Sequence, residues 1–188
     1  MLVLKNVSKT FESNSIVSNT EIFHNINLNI KQGSIIALTG PSGVGKSTLL
    51  NLISGIDSVS SGLIKINNQI ITSLKNDDLC RFRNNNIGII FQFFNLLNDL
   101  SVFENIAMPL LLRGDSKKSI THKVDKIINI IGLSDRSKYT TNLLSGGEAQ
   151  RVAIARALII NPSIIIADEP TGNLDKSNTD NIINILIN

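Results

Sequence analysis

The chain has 188 residues, 42 % of them hydrophobic and 18 % charged, with a formal net charge of +3. That is enough chain for one domain with a hydrophobic core, in a composition ordinary for globular proteins. The charge balance suits phosphate ligands or an anionic membrane surface, and is too weakly basic to argue for nucleic acid.

The lone cysteine, Cys80, has no partner for an internal disulfide, which fits a reducing compartment. No apolar run approaches the ~20 residues of a membrane span. The best candidate, Ile106 to Leu112, is short and carries Pro109. Met1 to Val7 lacks the basic segment and apolar run of a signal peptide. A protein of this kind that works at a membrane does so from outside it.

In chain order, Leu2 to Val7 reads as a strand and the Ser/Asn-rich stretch Ser13 to Thr20 as a surface loop. Ile26, Leu28 and Ile30 alternate with Asn27 and Asn29, the pattern of a half-buried strand. Lys31, Gln32 and Gly33 make a turn, and the apolar run Ser34 to Thr39 is expected to be a buried central strand. A glycine-rich loop and a helix from about Lys46 to Ile56 follow. Leu63 to Ile71 reads as a hairpin turning at Asn67-Asn68, and Ile87 to Gln92 as another apolar strand. Ser101 and Glu104 stand at capping-box spacing, so a helix starts there. Helical periodicity returns at Val124, Ile127, Ile128 and Ile131, with Gly132 as a stop. A further helix runs from about Gly146 to Ile160, ahead of Pro162. Ser163 to Ala167 reads as a buried strand and Ile182 to Ile187 as the start of a last helix. The pattern is an α/β core with a helical insertion and no inter-domain linker.

Gly40-Pro41-Ser42-Gly43-Val44-Gly45-Lys46-Ser47 satisfies the pattern G-x-x-x-x-G-K-[ST]. Glycines let the backbone curl so that its N–H groups face an anion. The helix behind the loop points its positive dipole end at the same spot. Lys46 is suited to the β- and γ-phosphates and Ser47 to Mg²⁺. A glycine-rich turn with a surface lysine is the plainer alternative, but the expected strand before and helix after supply the context the motif needs. Ile164-Ile165-Ile166-Ala167-Asp168-Glu169 is an apolar strand ending in two carboxylates. Asp168 there suits a Mg²⁺ partner, and Glu169 suits a general base that activates water. Read alone it is equally a solvated turn after a core strand. In Leu144-Ser145-Gly146-Gly147-Glu148, a hydroxyl and two glycines precede a helix N-terminus and form a second anion cradle. One triphosphate needs one cradle per monomer, so the second points to a partner subunit's nucleotide. The same residues also serve as an N-cap, with Ser145 capping and Glu148 closing a capping box.

The run from Leu144 to Leu158, Leu-Ser-Gly-Gly-Glu-Ala-Gln-Arg-Val-Ala-Ile-Ala-Arg-Ala-Leu, resembles the signature helix of ABC ATPases. With the phosphate loop and the acidic strand, the order and spacing match that family over nearly the whole chain. The resemblance implies a P-loop NTPase fold, α/β, with a RecA-like core, an antiparallel β subdomain and an inserted helical subdomain. On that basis residues 1–188 are a single ABC ATPase domain. Residues 1–86 and 145–188 form the core with its β subdomain, and about 87–144 the helical subdomain. ATP and Mg²⁺ are the implied cofactors. Phe11 looks like the aromatic that stacks on adenine, where an ordinary core phenylalanine is the alternative. The nucleotide-binding set is then Phe11, Gly40, Pro41, Ser42, Gly43, Val44, Gly45, Lys46, Ser47 and Thr48. Gln92 resembles the glutamine that touches Mg²⁺ and water, or else is a polar strand end. The metal set is Ser47, Gln92 and Asp168, and the catalytic set Glu169, Lys46 and Gln92.

Thr171-Gly172-Asn173-Leu174-Asp175 resembles the loop that crosses the dimer interface, or else an Asx-type turn. Ser145, Gly146, Gly147 and Asp175 are thus expected to act in trans on a partner's nucleotide in a head-to-tail homodimer. The resemblance further implies integral membrane permease subunits as partners, no nucleic acid, and a peripheral place at the cytoplasmic face of the inner membrane. Coupling contacts are expected near Phe93 to Met108. Phe93-Phe94-Asn95-Leu96-Leu97, Glu104-Asn105-Ile106 and Met108-Pro109-Leu110 are similar to the branch that contains lipoprotein-releasing and macrolide- or antimicrobial-peptide-export ATPases. Lipoprotein release is favoured within it.

The family chain ordinarily continues to a loop bearing a catalytic histidine. This sequence runs to Asn188, and His24 and His122 do not match that position. A truncated chain that binds ATP and hydrolyses it poorly is therefore an open alternative, as is a non-catalytic ATP-binding regulator, which Glu169 argues against. A non-transport ABC ATPase of DNA repair or translation would call for coiled coils, paired domains or a strongly basic face, none of which is seen.

Overall fold

The structure is a computed structural model and describes residues 1–11, 20–172 and 179. The chain divides into two compact units, Met1–Phe82 and Arg83–Asn188.

The first unit is built on a four-stranded antiparallel sheet. Strand β1 (Leu2–Phe11) is paired on one side with β2 (Thr20–Ile30) and on the other with β3 (Ser61–Ile66), which in turn pairs with β4 (Gln69–Ile70). Alternation sets the faces: Ile26, Leu28 and Ile30 are half-buried while Asn27 and Asn29 are exposed. The ladder pairs Leu2 with Ile30 and Leu4 with Leu28, then shifts before Val7 pairs with Ile26. At that irregularity Asn6 takes a positive φ of 49° and its N–H would be left without a strand partner. The Asn27 side chain accepts it at 3.0 Å and donates in turn to Asn25 O at 2.8 Å. The β3–β4 hairpin closes with Ile66 opposite Gln69, so Asn67-Asn68 is a two-residue loop, and Asn67 supplies the positive φ of 52° that such a turn requires. Helix α1 (Lys46–Ser54) follows the glycine-rich loop and buries Leu49, Leu52 and Ile53. No periodicity announces α2 (Asn76–Asn86), whose last residues fall past Phe82 in the second unit, because none of its residues is buried. Its acids, Asp77 and Asp78, sit in the first turn, where they suit the helix dipole.

The expected central strand at Ser34 to Thr39 does not form. Ile35 is 81 % and Ile36 60 % exposed, and the run has no strand assignment. A central strand exists only through hydrogen bonds to neighbours on both sides, and among the described residues no strand pairs with this run. Apolar composition alone does not supply those bonds.

The second unit combines a parallel pair, β5 (Ile87–Ile90) and β6 (Ile164–Ala167), with three helices. These are α3 (Val102–Arg113), α4 (Lys117–Ile130) and α5 (Gly146–Leu158). Ser101 and Glu104 form the capping box that opens α3, and α4 closes at Ile131 and Gly132. The apolar stripes meet in one core: Val102, Ile106 and Leu110 from α3, Ile120, Val124 and Ile128 from α4, and Val152 and Ala155 from α5. Burying each large aliphatic side chain there contributes about 1.5–3 kcal/mol. Asp115 accepts Arg113 Nε at 2.7 Å and Lys123 Nζ at 2.9 Å, which joins the end of α3 to α4 and holds the Asp115 carboxyl well below the usual carboxylate range. Helix α5 also packs on β5, with Ile154 and Ala157 against Ile90. The approach is close enough that a Cβ on Gly88 would lie 2.7 Å from Ala157 O. Strand β6 is less buried than its isoleucines imply, since only Ile166 is buried and Ile165 is 40 % exposed. Successive strand residues point to opposite faces, so Ile165 lies on the face opposite Ile166.

Candidate functional site

In the first unit, the loop Gly40 to Gly45 departs from ordinary backbone at each glycine, with φ of 151° at Gly40, 79° at Gly43 and 101° at Gly45. A side-chain-bearing residue rarely adopts these angles, so the loop shape follows from the glycines. Gly45 is the N-cap of α1, with no side-chain cap and no acidic residue in the first turn. The leading N–H groups of α1 therefore keep their positive end uncompensated by any side chain. Lys46 Nζ donates to Gly40 O and Pro41 O, both at 2.9 Å, and closes the loop into a ring. An ammonium carries three donors, so one remains. Pro41, Ser42, Val44 and Ser47 are exposed, and Thr48 is half-buried.

Strand β2 backs this loop. A Cβ on Gly45 would lie 2.6 Å from Ile22 Cγ2 and 2.8 Å from Phe23 Cζ, and Phe23 is paired with Lys9 of β1. Two residues beyond Lys9, Phe11 ends the ladder opposite Thr20. Phe11 is 44 % exposed. Lys9 Nζ lies 4.6 Å from the ring centroid on one face. That ammonium is itself anchored by Asp57 Oδ1 and Ser58 O, both at 2.9 Å.

In the second unit, β5 and β6 run parallel with Ile90 opposite Ala167, and Asp168 N–H extends the ladder to Ile90 O at 3.0 Å. Gln92 and Glu169 each lie two residues past that pair, so the register brings them together: Gln92 Nε2 donates to Glu169 Oε2 at 2.8 Å. Only one carboxylate oxygen is engaged by this bond. Glu169 sits at φ 46°, a left-handed turn that takes the chain off the strand line, and its carbonyl accepts Gly172 N–H at 3.1 Å. Asp168 is half-buried.

The Ser145 to Gly147 segment is the N-terminus of α5. Ser145 Oγ donates to Glu148 Oε2 at 2.8 Å, and Ser145 N–H donates to the same oxygen at 2.8 Å. Those two donors hold the Glu148 carboxyl below the ordinary glutamate value. Ser145 and Gly146 are exposed, and Gly147 is buried. Asp175, Asn173 and Leu174, the loop Ser13 to Asn19, and the helix expected from Ile182 lie outside the described residues.

Three features escaped the sequence reading. Gln150 of α5, 1 % exposed, donates through Nε2 to Pro170 O at 2.7 Å. Arg156 of α5 donates to Phe94 O at 2.8 Å and Asn95 O at 2.6 Å, in a loop where both residues have positive φ. Burial lowers the Arg156 pKa from its ordinary value. Beside that loop lies a cavity of about 440 Å³ lined by Phe93, Phe94, Leu96, Thr141, Leu144 and Ala149. The available signal was Gln150 and Arg156 among the Val, Ala and Ile residues of a helix that also carries Glu148 and Arg151. Among the described residues no group of three His, Cys, Asp or Glu side chains is placed to hold a metal ion, and no helix is long and apolar enough to cross a membrane.

The model of the ABC transporter family matches residues 23–172. The chain is 42 % identical over 182 residues to the lipoprotein-releasing system ATP-binding protein LolD of Pseudoalteromonas translucida, covering 97 % of this chain and 78 % of that protein. It is 41 % identical over 186 residues to the protein of the same name from Treponema denticola, covering 99 % and 81 %. Among solved structures it is similar to a dimeric ATP-binding cassette in a post-hydrolysis state bound to ADP and Pi, with TM-score 0.90 and 38 % identity over 99 % of this chain and 81 % of that one. A dimeric bacterial ABC transporter cassette is equally similar, with TM-score 0.90, 39 % identity and the same coverage.

Proposed function

The chain belongs to the ABC transporter family, as an ATP-binding subunit and ATP hydrolase, and from that premise we propose how its residues act and what it drives. Gly40 to Thr48 wraps the triphosphate, with the α1 N–H groups and the remaining Lys46 donor on its oxygens. Phe11 takes the adenine on the face that Lys9 does not cover. Glu169 is the general base, accepting the proton of the attacking water at its Oε1 while Gln92 holds Oε2. The single observation that carries this reading is the Gln92–Glu169 bond, which fixes a carboxylate just beyond the carboxyl end of a parallel strand pair.

Mg²⁺ fits the donor chemistry. The Ser47 hydroxyl, the Gln92 amide oxygen and the Asp168 carboxylate are oxygen donors, which suits a hard cation. When bound it would neutralise charge on the phosphates.

Two copies pack head to tail, each offering Ser145, Gly146, Gly147 and Asp175 to the other's nucleotide. The dimer drives integral membrane permease subunits from the cytoplasmic face of the inner membrane, and lipoprotein release is the transport it serves. The likeness to two lipoprotein-releasing ATP-binding proteins over 97 % and 99 % of the chain supports that choice.

The test compares ATP turnover and gel filtration with ATP and Mg²⁺ for the chain and for Glu169→Gln. Turnover should fall on the order of 10²–10⁴-fold, the usual contribution of general acid–base catalysis. ATP affinity should hold and the variant should run as a dimer. Unchanged turnover in Glu169→Gln rejects the base, and a monomer at saturating ATP rejects the head-to-tail dimer.

A further inference from the structure

We propose that Gln150 and Arg156 are positioning residues for hydrolysis, because one helix, α5, tethers both loops on which the Gln92–Glu169 pair sits. The proposal rests on the reading of Glu169 as base. Neither loop is held by regular structure. Glu169 at φ 46° and Phe94 and Asn95 at φ 58° and 48° occupy a region that side-chain-bearing residues enter only when their surroundings hold them there. Besides the backbone bonds within each loop, those surroundings include two polar side chains of α5. Pro170 O can only accept, so the Gln150 amide must present Nε2 to it, at 2.7 Å and fully buried. Its Oε1 finds no donor among the described residues, so the Pro170 bond is the polar contact that orients this side chain. Six residues on, the planar Arg156 fork spans two consecutive carbonyls, Phe94 O and Asn95 O, of the left-handed pair.

Between these anchors α5 is packed on two sides. Val152 and Ala155 belong to the helical core, and Ile154 and Ala157 pack on Ile90 of β5. The Gln92–Glu169 bond at 2.8 Å thus joins two loops fastened to the same body. That body begins at Ser145, so the segment proposed to meet a partner's nucleotide and the pair proposed to act on the chain's own nucleotide share one support.

The experiment measures kcat, ATP affinity and hydrogen exchange over residues 91–95 and 168–172 in the 188-residue chain, in Gln150→Leu and in Arg156→Lys. Leucine keeps most of the volume but donates nothing; lysine keeps the charge but lacks the fork. Both variants should lose about ten-fold or more in kcat, since a misplacement of about 1 Å costs on the order of a hundred-fold. ATP affinity should be unchanged. Exchange should speed up at Gly172 N–H, which bonds Glu169 O, in Gln150→Leu, and over 91–95 in Arg156→Lys. Adding Gln92→Ala to either variant should cost little beyond Gln92→Ala alone, as coupled residues are not additive. Unchanged kcat and exchange at temperatures well below unfolding, or full additivity with Gln92→Ala, overturns the proposal. Glu169→Gln run alongside separates the two ideas: retained turnover there removes the base, and loop exchange alone then decides the tether. If Gln150→Leu does not fold, Arg156→Lys carries the same test on the other loop.

Discussion

Gly45→Ala should destabilise the first unit more than Gly43→Ala, and the difference isolates how tightly β2 backs the glycine-rich loop. Both positions have positive φ, 101° and 79°, so each alanine bears a conformational cost of about 1–2 kcal/mol. Nothing lies within 4 Å of a Cβ at Gly43, and the cost ends there. At Gly45 the new methyl would meet Ile22 Cγ2 at 2.6 Å and Phe23 Cζ at 2.8 Å. The Phe23 ring can swing at its far end. The Ile22 methyl sits on the β-carbon and moves only by changing a stiff χ1 or by shifting the strand. Overpacking of this kind adds about 1–3 kcal/mol. Urea unfolding of the two variants, followed by a probe in the first unit, should therefore separate them by about 1–3 kcal/mol, a large part of a domain stability of about 5–15 kcal/mol. Equal midpoints and equal slopes would show that β2 gives way freely and that the loop is not braced by it.

Asn105, 1 % exposed, donates to Leu97 O, Leu100 O and Ser101 O and accepts Leu97 N–H, so it serves as the internal scaffold of the loop before α3. Asn105→Asp sets a carboxylate against three carbonyls and should cost about 3 kcal/mol or more by denaturant unfolding, whereas a loss below about 1 kcal/mol would contradict that role. Removing the α5 cap with Ser145→Ala should cost about 1 kcal/mol, read from the same curves. The Glu148 carboxyl is held below its ordinary value by its bonds to Ser145, so its folded pKa is depressed. Its stabilisation is then present above the unfolded-state glutamate pKa and is lost as pH falls through the folded value. A series of thermal midpoints from neutral to acid pH should fall less steeply in Glu148→Gln than in the parent chain, and parallel curves would count against the linkage.

Much of this protein was legible because its signals are local. The β3–β4 turn at Asn67-Asn68, the Ser101–Glu104 and Ser145–Glu148 capping boxes and the stripe at Val124, Ile128 and Ile131 depend on residues a few positions apart, and the structure has each where the pattern put it. The glycine spacing of residues 40–45 likewise dictates a curled loop ahead of a helix, since the backbone angles there exclude most other residues. Long-range partners decided the rest. Ser34 to Thr39 has the composition of a core strand and remains unpaired among the described residues, because a strand is defined by neighbours that its own sequence does not contain. No spacing rule links Gln92 to Glu169, 77 positions apart; the parallel register of β5 and β6 does. Gln150 and Arg156 look in sequence like polar residues on a helix, and only packing α5 against β5 turns them toward two loop backbones. The sequence by itself determined where a curled glycine-rich loop, a lysine and a carboxylate-ended strand stand along the chain, because that depends on side-chain type and backbone freedom. Only the tertiary structure decided which of them meet and what holds them in place, because hydrogen bonds and close packing act between atoms that the chain brings together from far apart.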